Sequence, residues 1–273
     1  MFETQRLRTR RSAAANILEL IYHTIVRNIR KTHENALIGL MMNMSQAVMF
    51  VAAFYVMFTL LGLRGMAIRG DFLVYIMSGI FLFLTHTKTM SAVVSSEGPA
   101  SPMMKHAPMN TIISILGAAF AQLYLQTLTA IVVLLCYSAI VEPVHIDRPL
   151  ATYGMFLIAW GTGAAVGLVF LAIKPWAPGA VNVLSSLYAR ANMIASGKMF
   201  VANQLPPMML AMFDWNPLFH AIDQARGFAF INYSPRNSSI DYPIYVALVL
   251  VMIGLMLEFY TRKHASESWG ARA

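Results

Sequence analysis

Residues 36–63, ALIGLMMNMSQAVMFVAAFYVMFTLLGL, run for 28 positions without one charged side chain. A helix crosses the hydrocarbon core of a bilayer with ~20 mostly apolar residues, so this run is a membrane span with margin to spare. Comparable runs follow at Phe72–Thr87 (extendable past Lys88 to Ser95), Ala107–Val141, Pro149–Ile173, Ala177–Ala195 and Tyr242–Leu257, the last continuing through Phe259 and Tyr260. Arg190 interrupts the fifth of these six. Composition agrees: the 273 residues are 58% hydrophobic and 12% charged, with mean hydropathy +0.60. Soluble proteins carry ~25% charge, and half of that cannot cover a water-facing surface without large apolar patches. An ordinary soluble domain, a disordered chain and a small disulfide scaffold are excluded. Cys136 is the single cysteine, so no intrachain disulfide can form. The expectation is an all-α polytopic integral membrane protein with six transmembrane helices.

The first 35 residues carry seven Lys/Arg and no short apolar core with a cleavage site, which argues against a signal peptide. Ile17, Leu18, Ile21, Tyr22, Ile25 and Ile29 recur at helical spacing, with Glu19, His23, Arg27 and Arg30 on the other face. That pattern predicts an amphipathic helix lying in the membrane interface. Residues 200–230 are apolar but broken by Pro206-Pro207, Asp214, Asn216-Pro217, Asp223 and Arg226. Asn216 before Pro217 reads as an N-cap with proline in the first turn. Two short helices dipping part-way into the membrane, between spans five and six, fit better than a seventh span. With both termini cytoplasmic, the inner segments hold twelve Lys/Arg and the outer segments five, as the positive-inside rule favours. The net charge of +8 is then explained by anionic headgroups, and no nucleic acid is expected.

No enzyme constellation stands out. Ser196-Gly197-Lys198 lacks the upstream glycine of a phosphate loop, because Asn192 occupies that position. The seven histidines include no pair at the spacing of a helical metal site. No cofactor or metal is expected in this chain. Ionisable residues at membrane depth are the better clue, since burying one in lipid costs at least ~2.5 kcal/mol. Arg190 lies near the middle of the fifth span and suits a polar channel, with Tyr188 and Trp160 as aromatic candidates for stacking on sugar rings. Lys88 and Lys198 are expected to snorkel to the headgroups, and Trp176 and Trp215 to anchor at the interface. Residues 97–110, EGPASPMMKHAPMN, form a proline-punctuated connector between spans two and three, suited either to a plain turn or to a small helix offered to a soluble partner.

Four stretches together resemble the permeases of type-2 ATP-binding-cassette exporters for capsular polysaccharide, O-antigen and related glycoconjugates. They are IRKTHENALIGLMMNMSQAV (29–48), RGDFLVYIMSGIFLFLTHTKTMSAVVSS (69–96), ASGKMFVANQLPP (195–207) and WNPLFHAIDQARGFAF (215–230). The resemblance implies a tail and interfacial helix over 1–35, a six-span domain over 36–261 and a cytoplasmic C-terminal tail over 262–273, in a bacterial inner membrane. It implies a homodimer, each subunit bound to a separate cytoplasmic ATPase that carries ATP and magnesium, moving a polysaccharide or lipid-linked glycan. Coupling would fall to 97–110, with Pro102, Met103, Met104, Lys105 and His106. An outer gate would be formed by helices within 206–230, with Trp215, Asn216, Pro217, His220, Asp223 and Arg226. Here the first span is rich in methionine and polar residues, and the acidic gate position is Asp223 where glutamate is commoner. Two other functions compete: a type-2 permease for a lipid or small molecule, and a membrane-embedded transferase, which should show paired carboxylates or histidines at one membrane face.

Overall fold

The structure is a computed structural model that describes residues 10–31, 36–62, 71–99 and 110–264, and no strand occurs among them. Nine α-helices follow in order: α1 (Arg10–Lys31), α2 (Ala36–Leu60), α3 (Phe72–Val94), α4 (Thr111–Ile140), α5 (Pro149–Ile173), α6 (Pro178–Ala195), α7 (Pro207–Phe213), α8 (Pro217–Ala229) and α9 (Asp241–His264). Five of them are long and apolar enough to cross a membrane: α2 from Ile38, α3, α4, α5 and α9. Helix α6, the expected fifth span, does not reach that standard. It has 18 residues, ~27 Å at 1.5 Å per residue, and Asn182, Ser185, Ser186, Arg190 and Asn192 dilute its apolar character.

Helix α3 is the centre of the bundle; all of its middle, from Val74 to Thr87 except Ser78, is buried. Its start is fixed by Asp71, whose carboxylate accepts the Leu73 N–H at 2.8 Å, a side-chain cap on a free backbone donor. Side-chain contacts order its neighbours. Along α2, Phe58 stacks edge-on against Phe72, Phe50 lies beside Phe83, and Asn43 accepts from Lys88, so α2 and α3 are antiparallel. Lys88 therefore uses a neighbouring amide rather than reaching out to headgroups. Against α5 the approach is closer, because a Cβ on Gly163 would lie 2.4 Å from the His86 carbonyl oxygen and one on Gly167 2.8 Å from Val93. Small residues one turn apart let membrane helices come within backbone distance. Ala159, fully buried, continues that stripe.

Helix α6 runs antiparallel to α3. Val181 packs with Met90 and Val94, the Tyr188 hydroxyl is 2.9 Å from His86 Nε2, and the chain just beyond Ala195 meets Gly79. Helix α9 is parallel to α5, with the Thr261 hydroxyl donating to the Ala172 carbonyl at 2.9 Å and Gly254 against Leu168. The Trp176 indole N–H donates to Thr261 Oγ1, tying the same end. One end of the bundle thus gathers the end of α3 through Ser96, the start of α4, Lys174 and the basic end of α9. At the opposite end, the Asp147 and Arg148 amides donate to the Ala229 and Phe228 carbonyls, joining the α4–α5 connection to α8.

The N-terminal helix differs from a freely floating interfacial element. Thr24 is buried, and a Cβ on Gly117 would lie 2.3 Å from its side chain, so α1 packs along the first half of α4. Ile21, Ile25 and Ile29 turn partly inward, whereas Ile17, Leu18 and Tyr22 remain bare.

Candidate functional site

Helix α8 and the two segments it fastens form the most polar buried part of the molecule. Asn216 caps it as its sequence predicts, accepting the Leu218 N–H at 3.0 Å, with Pro217 in the first turn. The same side chain donates to Asn192 Oδ1 and to the Ala195 carbonyl, both at 3.0 Å. One residue therefore starts α8 and holds the end of α6. One turn on, His220 is also spent structurally. Its Nδ1 accepts the Ser239 N–H at 3.0 Å, so Nε2 carries the proton that it gives to the Asp214 carbonyl at 2.6 Å.

Asp223 and Arg226 are three residues apart on one helix, both about 98–99% covered (2% and 1% exposed), yet they form no ion pair with each other. Asp223 turns mainly to the segment after α8, accepting from the Tyr233 hydroxyl at 2.5 Å and the Ser238 hydroxyl at 2.6 Å, and it also accepts the Ala202 N–H at 3.4 Å. Burial and the adjacent carboxylate hold the Tyr233 phenol well above its ordinary pKa, which keeps it a donor. Arg226 turns the other way, to the chain leaving α6. Its guanidinium donates to the carbonyls of Gly197 (2.8 Å), Phe200 (2.6 Å) and Lys198 (2.7 Å) and lies 4.2 Å from the Tyr75 ring centroid. These carbonyls have left the α6 hydrogen-bond ladder, and a buried carbonyl without a donor is costly. Gly197 makes the turn possible with φ +73° and also leaves no room for a Cβ, which would sit 2.7 Å from the Phe219 ring. Gly79 of α3 serves the same corner: a Cβ there would meet Arg226 Nη2 at 2.8 Å and the Lys198 backbone at 2.9 Å.

Lys198 is buried beneath Phe83, its ammonium 3.5 Å from that ring centroid, 5.2 Å from Phe54 and 5.8 Å from Phe50. It has no hydrogen-bond partner among the described residues. The expectation that it snorkels fails because three phenyl faces of α2 and α3 surround it and supply the negative face that a cation seeks. The spacing of those phenylalanines was the available signal, but linking them to Lys198 requires the fold.

Other predicted residues are dispersed. Arg190 is exposed on the outward face of α6 with Val183, Leu187 and Ile194. Tyr188, two positions away, turns inward to His86, whose Nδ1 faces the Thr162 hydroxyl at 3.0 Å. Trp160 lies elsewhere, between α4 and α5, with its indole N–H donating to the Ala119 carbonyl at 2.8 Å. Trp215 is exposed beside the start of α8, and its carbonyl accepts from the Tyr242 hydroxyl at 2.7 Å. Pro102, Met103, Met104, Lys105 and His106 lie outside the described residues. Their flanks are placed: the Glu97 N–H donates to Ser114 Oγ at 3.0 Å, at the end of the bundle opposite α8. Among the described residues no group of histidines, cysteines and carboxylates could hold a metal ion.

A bundle of long apolar helices whose buried polar groups fasten backbone corners, with outward polar positions on α2 and α6, is a multi-pass membrane protein. The buried Asn216, His220, Asp223 and Arg226 are occupied in holding the chain. No model of a known protein family matches the chain. It is similar to two polysialic acid transport proteins KpsM of Escherichia coli, 25% identical over 203 residues and 23% identical over 199, in each case covering 71% of this chain and 75% of the relative. That similarity agrees with the resemblance of its motifs to the permeases of type-2 ATP-binding-cassette polysaccharide exporters.

Proposed function

We propose that this protein is the permease subunit of an ATP-driven exporter that moves a polysaccharide, capsule-like or O-antigen-like, across the inner membrane of a bacterium. The observation that carries this reading is its similarity to the polysialic acid transport proteins over most of both chains. A hydrated glycan cannot cross hydrocarbon, so its path must be lined by polar groups. The outward positions Ser45 and Gln46 on α2 and Asn182, Ser186 and Arg190 on α6 are exposed and supply such a lining when two copies face one another. Helix α6 serves as the fifth of six spans. Supporting this, its contacts follow α3 from Val94 back to Gly79, although its length alone is short. Both termini and residues 97–110 then face the cytoplasm, where a separate ATPase with its ATP and magnesium engages Pro102–His106. Helices α7 and α8, at the opposite end, form the outer gate.

Coupling requires that ATPase contacts differ between the open and closed states. The test is charge reversal at Lys105 in the host, with surface polysaccharide and subunit association measured together. Loss of export with normal abundance of the permease supports the reading. Unchanged export refutes the coupling assignment, and unchanged surface polysaccharide after removal of the whole protein refutes the function. The material that accumulates inside the cell after removal identifies the cargo and separates a glycan exporter from a lipid or drug permease.

A further inference from the structure

We infer that the cleft between α4 and α5, continued beneath α1, is a binding site for one anionic phospholipid of the surrounding bilayer. The two helices are joined by the short connection 141–148, yet they touch at few places. Phe120 and Ala119 meet Trp160 at one end. Midway, the hydroxyls of Thr127 and Tyr153 are 3.3 Å apart. Beyond that bridge a hollow of about 170 Å³ is walled by Phe81, Leu82, Ala130, Leu134 and Phe156. It shares Thr127, Ile131 and Tyr153 with a groove of about 960 Å³ that passes under Tyr22, Ile25 and Ile29. The combined slot follows α4 from Phe120 to Leu134, ~21 Å at 1.5 Å per residue. That exceeds the ~15 Å depth of one leaflet's hydrocarbon, so an extended acyl chain fits along it.

The polar groups of the slot are concentrated at its broad end. Tyr22, Tyr124 and Tyr153 are exposed there, and Arg30 stands at the mouth with no hydrogen bond or ion pair to any described residue. Carbon walls, then hydroxyls, then a guanidinium reproduce in order the tail, ester and phosphate of a glycerophospholipid. Guanidinium binds phosphate with two parallel N–H donors. The bare Ile17, Leu18 and Tyr22 of α1 extend the same lipid-facing surface. A headgroup with a net negative charge is preferred because, among the described residues, Arg30 is the only charged one lining the slot, and a basic residue near an anionic surface favours it about fivefold.

This inference needs only that the chain sits in a membrane, and it stands or falls separately from the export reading. The full-length protein is reconstituted in nanodiscs of palmitoyl-oleoyl phosphatidylethanolamine with a minority of palmitoyl-oleoyl phosphatidylglycerol, then released and weighed by native mass spectrometry. One phosphatidylglycerol per chain is expected to remain, in preference to phosphatidylethanolamine. Arg30→Glu should lower its retention about fivefold or more, Arg30→Lys should keep most of it, and Leu128→Trp should obstruct the groove for both lipids. Equal retention by wild type and R30E overturns the site, as does a glycan-linked lipid found in its place. So does disulfide cross-linking of L128C between two copies in a C136S background, because a second copy would then cover the groove. The two Arg30 variants keep the test sound if the tryptophan variant fails to fold.

Discussion

Replacing Arg226 by methionine removes the one side chain that satisfies three carbonyls at the corner after α6. The Lys198 and Phe200 oxygens then face a buried site without a donor, at ~1–3 kcal/mol apiece, and the Gly197 oxygen keeps only the long bond from the Phe200 N–H at 3.4 Å. Two effects reduce the sum. The wild-type cation carries its own desolvation cost, several kcal/mol for a buried ion, and water can enter the vacated volume. A net loss of ~3–5 kcal/mol is expected, in the range measured when one member of a buried charged interaction is deleted. For a chain of this size that lowers the melting midpoint by ~6–20 °C. Lysine in the same place keeps the charge and reaches fewer carbonyls, so Arg226→Lys should recover about half of the loss. The assay is thermal challenge of detergent-solubilised protein followed by fluorescence-detected size exclusion. A second readout, thiol labelling of a cysteine placed at Val201, buried in the native fold, should show the corner opening. If R226M melts within about 2 °C of wild type and Val201 remains shielded, the guanidinium is not what holds the corner.

Three further outcomes follow from the same geometry. Gly79→Ala should destabilise by ~1–3 kcal/mol, since the added methyl must displace the Lys198 backbone or Arg226, and no shift in the melt would refute the close approach. Asp223→Asn combined with Arg226→Met should show a coupling of ~0.5–3 kcal/mol, because the two residues lie one turn apart and both hold the segment 197–202, Asp223 accepting the Ala202 N–H at 3.4 Å and Arg226 donating to the Gly197, Lys198 and Phe200 carbonyls. Strict additivity would refute a shared network at this corner. Lys198→Met should leave stability within ~1 kcal/mol, the lost cation–π attraction being offset by relief from burying a charge. A large fall in the melt would show the ammonium to be essential to the fold.

Much of the architecture can be read from apolar runs, because lipid leaves the backbone no alternative to long helices. The Asn216-Pro217 start of α8 was equally legible, since capping is a local property of two residues. Helix α6 was harder: Arg190 and four polar neighbours lower its hydropathy, and only its contacts with Met90, His86 and Gly79 show where it runs. The partners of Asp223 and Arg226 could not be inferred from sequence. Their spacing of three suggests a helical ion pair, but α8 is enclosed on both sides, and unsatisfied backbone and hydroxyl groups compete for each charge. Lys198 misled for a related reason. Snorkelling presumes an open route to water, whereas the turn at Gly197 points this side chain back at α2 and α3. Sequence reasoning also missed the Tyr188–His86 contact, which joins residues 102 positions apart.

Helix α8 has thirteen residues, and its side chains reach the end of α6, the turn at 197–200 and the segment 233–239. It cannot tilt without breaking those bonds or carrying the segments along. Any displacement at this end of the bundle therefore moves one stiff block, and the start of α9 goes with it, since the Tyr242 hydroxyl donates to the Trp215 carbonyl and its ring lies 4.7 Å from that of His220. Lys198 projects from that block into the rings of Phe50, Phe54 and Phe83. A change in the slope of α2 would thus act on the block as on a lever, with the ammonium as the peg through which the force passes.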